Sequence, residues 1–135
     1  MDMRIKSGSC FGILLGIVFV LTSSSAFSTP GSAVRLLYKA IETGDLDKTK
    51  VLLVGTDVNS QNSLGYTPLY KAVFYNRLNF VEYLFKLGAK VNLGDGEGLA
   101  PLHVAAIENL PDMIKTLKDK DANIEAKDKY GYTPL

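Results

Sequence analysis

The amino-acid sequence predicts an all-α fold, a solenoid of stacked antiparallel helix pairs joined by hairpin-like loops, and three observations lead there. The pentapeptide GYTPL stands at 65–69 and again at 131–135, with GLAPL between them at 98–102, so the motif recurs every 33 residues. That period is the length of a repeat built from paired helices. The register persists inside the unit: Leu84 and Leu117, Gly88 and Asp121, Ala89 and Ala122, and Val91 and Ile124 are each 33 apart. Each motif's proline is followed by apolar residues at helical spacing, Leu69, Ala72 and Val73 in one unit and Leu102, Ala105 and Ala106 in the next.

The first stretch of the chain is unlike the rest. Arg4 and Lys6 precede the apolar run CFGILLGIVFVL at 10–21, and TSSSAFS then offers small-residue cleavage sites after Ala26 or Ser28. This is the pattern of a secretory signal peptide. A helix of that length reaches about 18 Å, short of the ~30 Å hydrocarbon core of a bilayer. Residues 1–28 are therefore expected to be a cleaved leader and the protein to be exported, periplasmic or secreted. The alternative is an uncleaved signal anchor, in which Thr22 to Ser25 lengthen the span and tether the domain to a membrane. Cleavage after Ser28 would leave 13 basic and 13 acidic side chains and no cysteine, since Cys10 departs with the leader. A chain without thiols tolerates an oxidising compartment. The whole sequence carries a formal charge of only +1, which excludes the strong field that draws a protein to nucleic acid or anionic lipid.

The repeat domain is expected over residues 29–135, with units at about 34–64, 65–97 and 98–130 and the start of another at 131–135. Pro68 and Pro101 fix φ and lack an N–H that a first helical turn would leave unpaired, so a first helix starts at each. A second helix carries Phe80, Val81 and Leu84, matched by Met113, Ile114 and Leu117. Stopping that helix calls for a residue tolerant of positive φ, expected at Gly55, Gly88 and, less comfortably, Asp121. The stretches 59–66, 92–99 and 125–132, rich in Gly, Asn, Asp and Ser, read as projecting loops. A worn first unit is visible as LLYKAIETGDLDKTKVLLVGTDVN. Its Leu37, Ala40, Gly44 and Leu52 precede their counterparts by 32 residues and its Gly55 and Asn59 by 33, so one residue is missing near Val54. In the third unit Leu102, Ala105, Ile114 and Leu117 are expected to leave an open apolar side. That side predicts marginal stability and self-association.

On these residues the sequence resembles the ankyrin repeat family, most clearly in GYTPLYKAVFYNRLNFVEYLFKLGAKVN at 65–92 and GLAPLHVAAIENLPDMIKTLKDKDANIE at 98–125. The resemblance covers about residues 34–135. It implies a module that binds an unidentified protein through a concave face. The contacts would come from the loop tips and from the positions just after the paired small residues of each first helix. Carried onto this chain, those are Ser63, Leu64, Tyr66, Phe74 and Tyr75 in the second unit, and Gly96, Glu97, Leu99, Ile107 and Glu108 in the third. Glu42 and Thr43 are their counterparts in the first. The family commonly pairs the threonine and histidine of its TPLH motif. Here His103 follows Ala100, while Thr67 precedes Tyr70, so no unit keeps both partners. The resemblance also admits a second origin, an interrupted bacterial reading frame whose product has little function of its own.

Catalysis finds no support. His103 is the single histidine, and no serine, cysteine or carboxylate recurs at a spacing that would orient it. The run LGDGEGL at 93–99 lacks the lysine and hydroxyl of a phosphate loop and the ligand count of a calcium loop. KTLKDKD at 115–121 alternates in sign, as a solvated helix surface does. No cofactor, metal or catalytic residue is expected, no nucleic acid as partner, and a membrane only if the N-terminal apolar segment is retained.

Overall fold

Three helix pairs follow one another along the described residues 30–135 of this computed structural model. They are α1 (Pro30–Thr43) with α2 (Leu46–Leu53), α3 (Pro68–Phe74) with α4 (Leu78–Lys86), and α5 (Pro101–Ile107) with α6 (Pro111–Lys118). No strand occurs among the described residues. The leader expected at 1–28 lies outside them. The chain divides into units Met1–Ala33 and Val34–Leu135, and the second carries the repeats.

Helix starts follow local chemistry. Thr67, in extended conformation, caps α3 by accepting the Tyr70 N–H at 3.0 Å, with Pro68 in the first turn. Ala100 has no acceptor to offer α5. There the His103 ring takes over one half of the arrangement, its Nδ1 accepting the Ala100 N–H at 3.1 Å. Nδ1 is thus unprotonated, and Nε2 donates to the Tyr132 carbonyl at 3.1 Å. The second and third units each keep one half of the threonine and histidine brace.

Helix ends share one device. After α1, Asp45 N–H bonds Ala40 O at 2.8 Å and Gly44 N–H bonds Ile41 O at 3.2 Å. The same pair of bonds recurs after α3 (Arg77 to Ala72, Asn76 to Val73) and after α5 (Leu110 to Ala105, Asn109 to Ala106). It closes α4 (Ala89 to Leu84, Gly88 to Phe85) and α6 (Ala122 to Leu117, Asp121 to Lys118) as well. This is the Schellman closure, which puts one residue in the left-handed region. Gly44, Asn76, Gly88, Asn109 and Asp121 all have positive φ, between 54° and 91°. Gly55 does not, contrary to the sequence expectation. The missing residue shortens the turn, so α2 ends in a tight bond from Val54 N–H to Val51 O at 3.2 Å without a left-handed corner.

The loops between units repeat equally closely. Asn62, Asp95 and Asp128 each turn a side-chain oxygen back onto two N–H groups of their own loop, two and four residues on, at 2.8–3.0 Å. Neighbouring loops are laced together by Gly96 N–H to Leu64 O at 3.2 Å and Lys129 N–H to Glu97 O at 2.9 Å. Gly65 is obligatory for this approach, because a Cβ there would stand 2.6 Å from the Gly96 nitrogen. Two asparagines set the spacing below. Asn59 accepts from Lys90 N–H at 2.7 Å and donates to Gly88 O at 3.3 Å, and Asn92 does the same with Asn123 and Asp121.

The core runs through all three pairs. Leu37, Ile41, Leu69, Val73, Phe80, Val81, Leu84, Leu102, Met113 and Leu117 are fully buried, and α3 packs on both α4 and α5. The open apolar side expected on the third unit is not formed by the residues named for it. Leu102, Ala105 and Leu117 are buried and Ile114 is partly so. α5 is buried nearly all round, Pro101 through Ala105 in succession, and α6 turns Met113 and Leu117 to the core. α6 presents Asp112, Lys115 and Lys118 to solvent.

The left-handed corners give a paired test. Nothing lies within 4 Å of a Cβ built on Gly88, so Gly88→Ala reports backbone strain alone and should lower the unfolding free energy by about 1–2 kcal/mol. Asp121→Gly removes strain at the equivalent corner at the expense of chain entropy, with an expected net gain of about 0.5 kcal/mol. Urea melts of both variants check the opposite signs.

Candidate interaction surface

The residues assigned to recognition divide into three neighbourhoods. The first lies where the first and second units meet. The Tyr75 hydroxyl donates to Glu42 Oε2 at 3.0 Å, and Lys39 pairs with the same carboxylate at 2.9 Å. Arg77 reaches back to the Glu42 carbonyl at 2.9 Å. The Lys39 contact, then the Tyr75 hydroxyl, hold the Glu42 carboxyl below the usual carboxylate range. Burial and then the Glu42 bond raise the Tyr75 phenol. Thr43 is not available in the same way, because its hydroxyl bonds the Lys39 carbonyl at 3.0 Å.

Aromatic side chains extend this neighbourhood. Phe74 and Tyr75 meet edge to face at 5.2 Å and 85°, and Tyr66 stacks on Tyr70 at 4.5 Å and 18°. Lys71, absent from the sequence-derived set, links them. Its Nζ sits 5.3 Å from the ring centres of Tyr66 and Tyr75 and 5.8 Å from that of Phe74. Helical spacing carries the signal that points to it, since Lys71 precedes Phe74 and Tyr75 by three and four residues.

The second neighbourhood is a groove of about 630 Å³ between two loops, with Leu64, Tyr66 and Glu97 among its walls. Ser63 and Gly96 lie on it too. Leu64 is 60% exposed. Glu97 forms an ion pair with Lys129 of the next loop. Asp95 Oδ1 in the glycine-rich loop is occupied by the Glu97 and Leu99 N–H groups at 2.8 and 2.9 Å. No cluster able to hold a metal occurs among the described residues.

Leu99 and Ile107 form the third neighbourhood, a groove of about 210 Å³ shared with His103, Asp128, Tyr132 and Pro134. Ile107 is 68% exposed and Phe74 45%. Both side chains are thus substantially open to solvent. Glu108 is exposed beside Ile107.

Paired helices on a 33-residue register, Schellman corners and laced loops define a helical repeat protein. A family model described as "Ankyrin repeats (3 copies)" matches residues 36–128, and the chain belongs to the ankyrin repeat family. Its similarity extends to the ankyrin repeat protein FPV024 of fowlpox virus, 33% identical over 103 residues, which are 74% of this chain and 17% of that protein. The regulatory protein NPR5 of Arabidopsis thaliana is 34% identical over 104 residues, 76% of this chain and 21% of that protein. NF-kappa-B inhibitor delta of Mus musculus is 35% identical over 88 residues, 64% of this chain and 27% of that protein. The chain thus spans about a quarter or less of the length of these viral, plant and mammalian relatives. Ankyrin repeats are in general protein-interaction units.

Tyr75→Phe tests the junction through pH. Glu42 contributes stability above the ordinary carboxylate range, and that contribution is lost as pH falls through its depressed folded value. Removing the phenol should raise the Glu42 titration point towards the ordinary value and leave the Lys39 pair in place. An NMR titration of the Glu42 carboxyl carbon in both chains measures it; coincident curves would exclude the Tyr75 hydroxyl as a cause.

Proposed function

We propose that this ankyrin domain is a non-catalytic module that grips a protein partner through its concave face and loop tips, with Leu64, Tyr66, Phe74, Tyr75, Glu97, Leu99, Ile107 and Glu108 as the contact set. The observation that carries the reading is the exposure of Phe74 and Ile107, equivalent positions of adjacent units, at 45% and 68%. Large apolar side chains held open at matched positions on a rigid scaffold are what an interface core needs. That one similar protein is by its name an inhibitor of NF-kappa-B supports the same class of function. Export belongs to the proposal and is supported by the leader-like pattern of residues 4–28 alone.

Affinity capture from the native compartment tests it with three variants. Phe74→Ala and Ile107→Ala each remove an exposed apolar group and should weaken the captured partner by about tenfold or more. Lys50→Ala, on the far helix of the first unit, should leave capture unchanged. Equal retention by all three variants, or equal loss, would exclude the concave face.

A further inference from the structure

We propose that Lys71 is the docking point for a carboxylate on the partner, so that the concave face takes a peptide segment in which an acidic residue neighbours a leucine or an aromatic. The inference rests on the concave-face reading and gives it a chemistry.

The charges of this face are unequally satisfied. Glu42 is held by Lys39 at 2.9 Å and by the Tyr75 hydroxyl at 3.0 Å. Glu97 is held by Lys129. Lys71 has no ion pair among the described residues. Its contacts are the three rings of Tyr66, Phe74 and Tyr75, at 5.3, 5.8 and 5.3 Å. Glu42 is the acid that feels it through space, and both oxygens of that carboxylate are already engaged, Oε1 by Lys39 and Oε2 by Tyr75.

Ring faces attract an ammonium but leave its hydrogen-bonding capacity unused, because a π-face accepts weakly and from one side. Three rings restrain a side chain that would otherwise lose more freedom on binding. An arriving carboxylate therefore meets a cation held among rings and only partly exposed. A partner cation would instead meet Lys71 itself at the same spot and be repelled. The exposed Phe74 ring next to the ammonium sets the second requirement, an apolar side chain beside the acid.

Selection of a random dodecapeptide library on the full chain, with bare support as control, tests the proposal. The selected pool should be enriched in Asp or Glu next to Leu, Phe, Tyr or Trp. Its members should bind Lys71→Gln about tenfold more weakly or worse, bind Lys71→Arg nearly as well as the parent, and weaken as salt rises. Circular dichroism melts of both variants report whether the fold is kept. A pool without acidic bias, or an acidic pool that binds Lys71→Gln undiminished, overturns the carboxylate docking point. If such a pool is still lost on Phe74→Ala, the concave-face reading survives alone. If no peptide is enriched over the bare support, both fall.

Discussion

A helix of seven or eight residues does not persist in water by itself, and α2, α3, α5 and α6 are all of that length. They exist because each buries its stripe on a neighbour, and that requires the chain to reverse at a fixed place after every helix. The left-handed corner supplies the reversal. Where glycine holds it, at Gly44 and Gly88, the conformation is free of side-chain strain. Where Asn76, Asn109 and Asp121 hold it, a short polar side chain makes it tolerable. The fold is thus a lattice of corners first and of helices second. The first unit, which lacks the corner after α2, buries only Thr49 and Leu53 from its second helix, one of them polar.

The loops convert that lattice into a surface. A carboxylate or amide at Asn62, Asp95 and Asp128 satisfies its own turn, so the loops need no partner to hold their shape. The bonds from Gly96 to Leu64 and from Lys129 to Glu97 then fix one loop against the next. With both ends of the first helix braced, by the Thr67 or His103 cap and by the corner beyond it, the residues at its end have no core left to enter. Phe74 and Ile107 stay in solvent for that reason.

Much of the fold was legible because burial leaves a period in the sequence. The 33-residue register, Pro68 and Pro101 as helix starts, and Gly88 as a corner are all readable from residue type and spacing. Gly55 misled because a glycine permits positive φ without requiring it, and the deletion beside it removed the need. Leu102, Ala105 and Leu117 misled because periodicity shows that a stripe is apolar and is silent about which neighbour it faces. The proposed contact positions came through the family resemblance, and their exposure had to be seen. Lys71 is not singled out by the sequence for a physical reason: a lysine in a helix is ordinarily solvated, and only the fold brings Tyr66 of the preceding loop near it.

The core and the proposed contact set occupy different positions of the same unit, which is why a fold of this kind sets no partner by itself. What the structure adds is an argument from entropy. Ordering a flexible side chain on binding costs roughly 0.5–1.5 kcal/mol. Tyr75 has already been ordered by Glu42, Glu97 by Lys129, and Lys71 by the rings around it. Each of those contacts is individually weak and adds little to the stability of the domain. Their effect is on the free state of the surface, where part of the freedom that a partner would otherwise have to remove is already restricted.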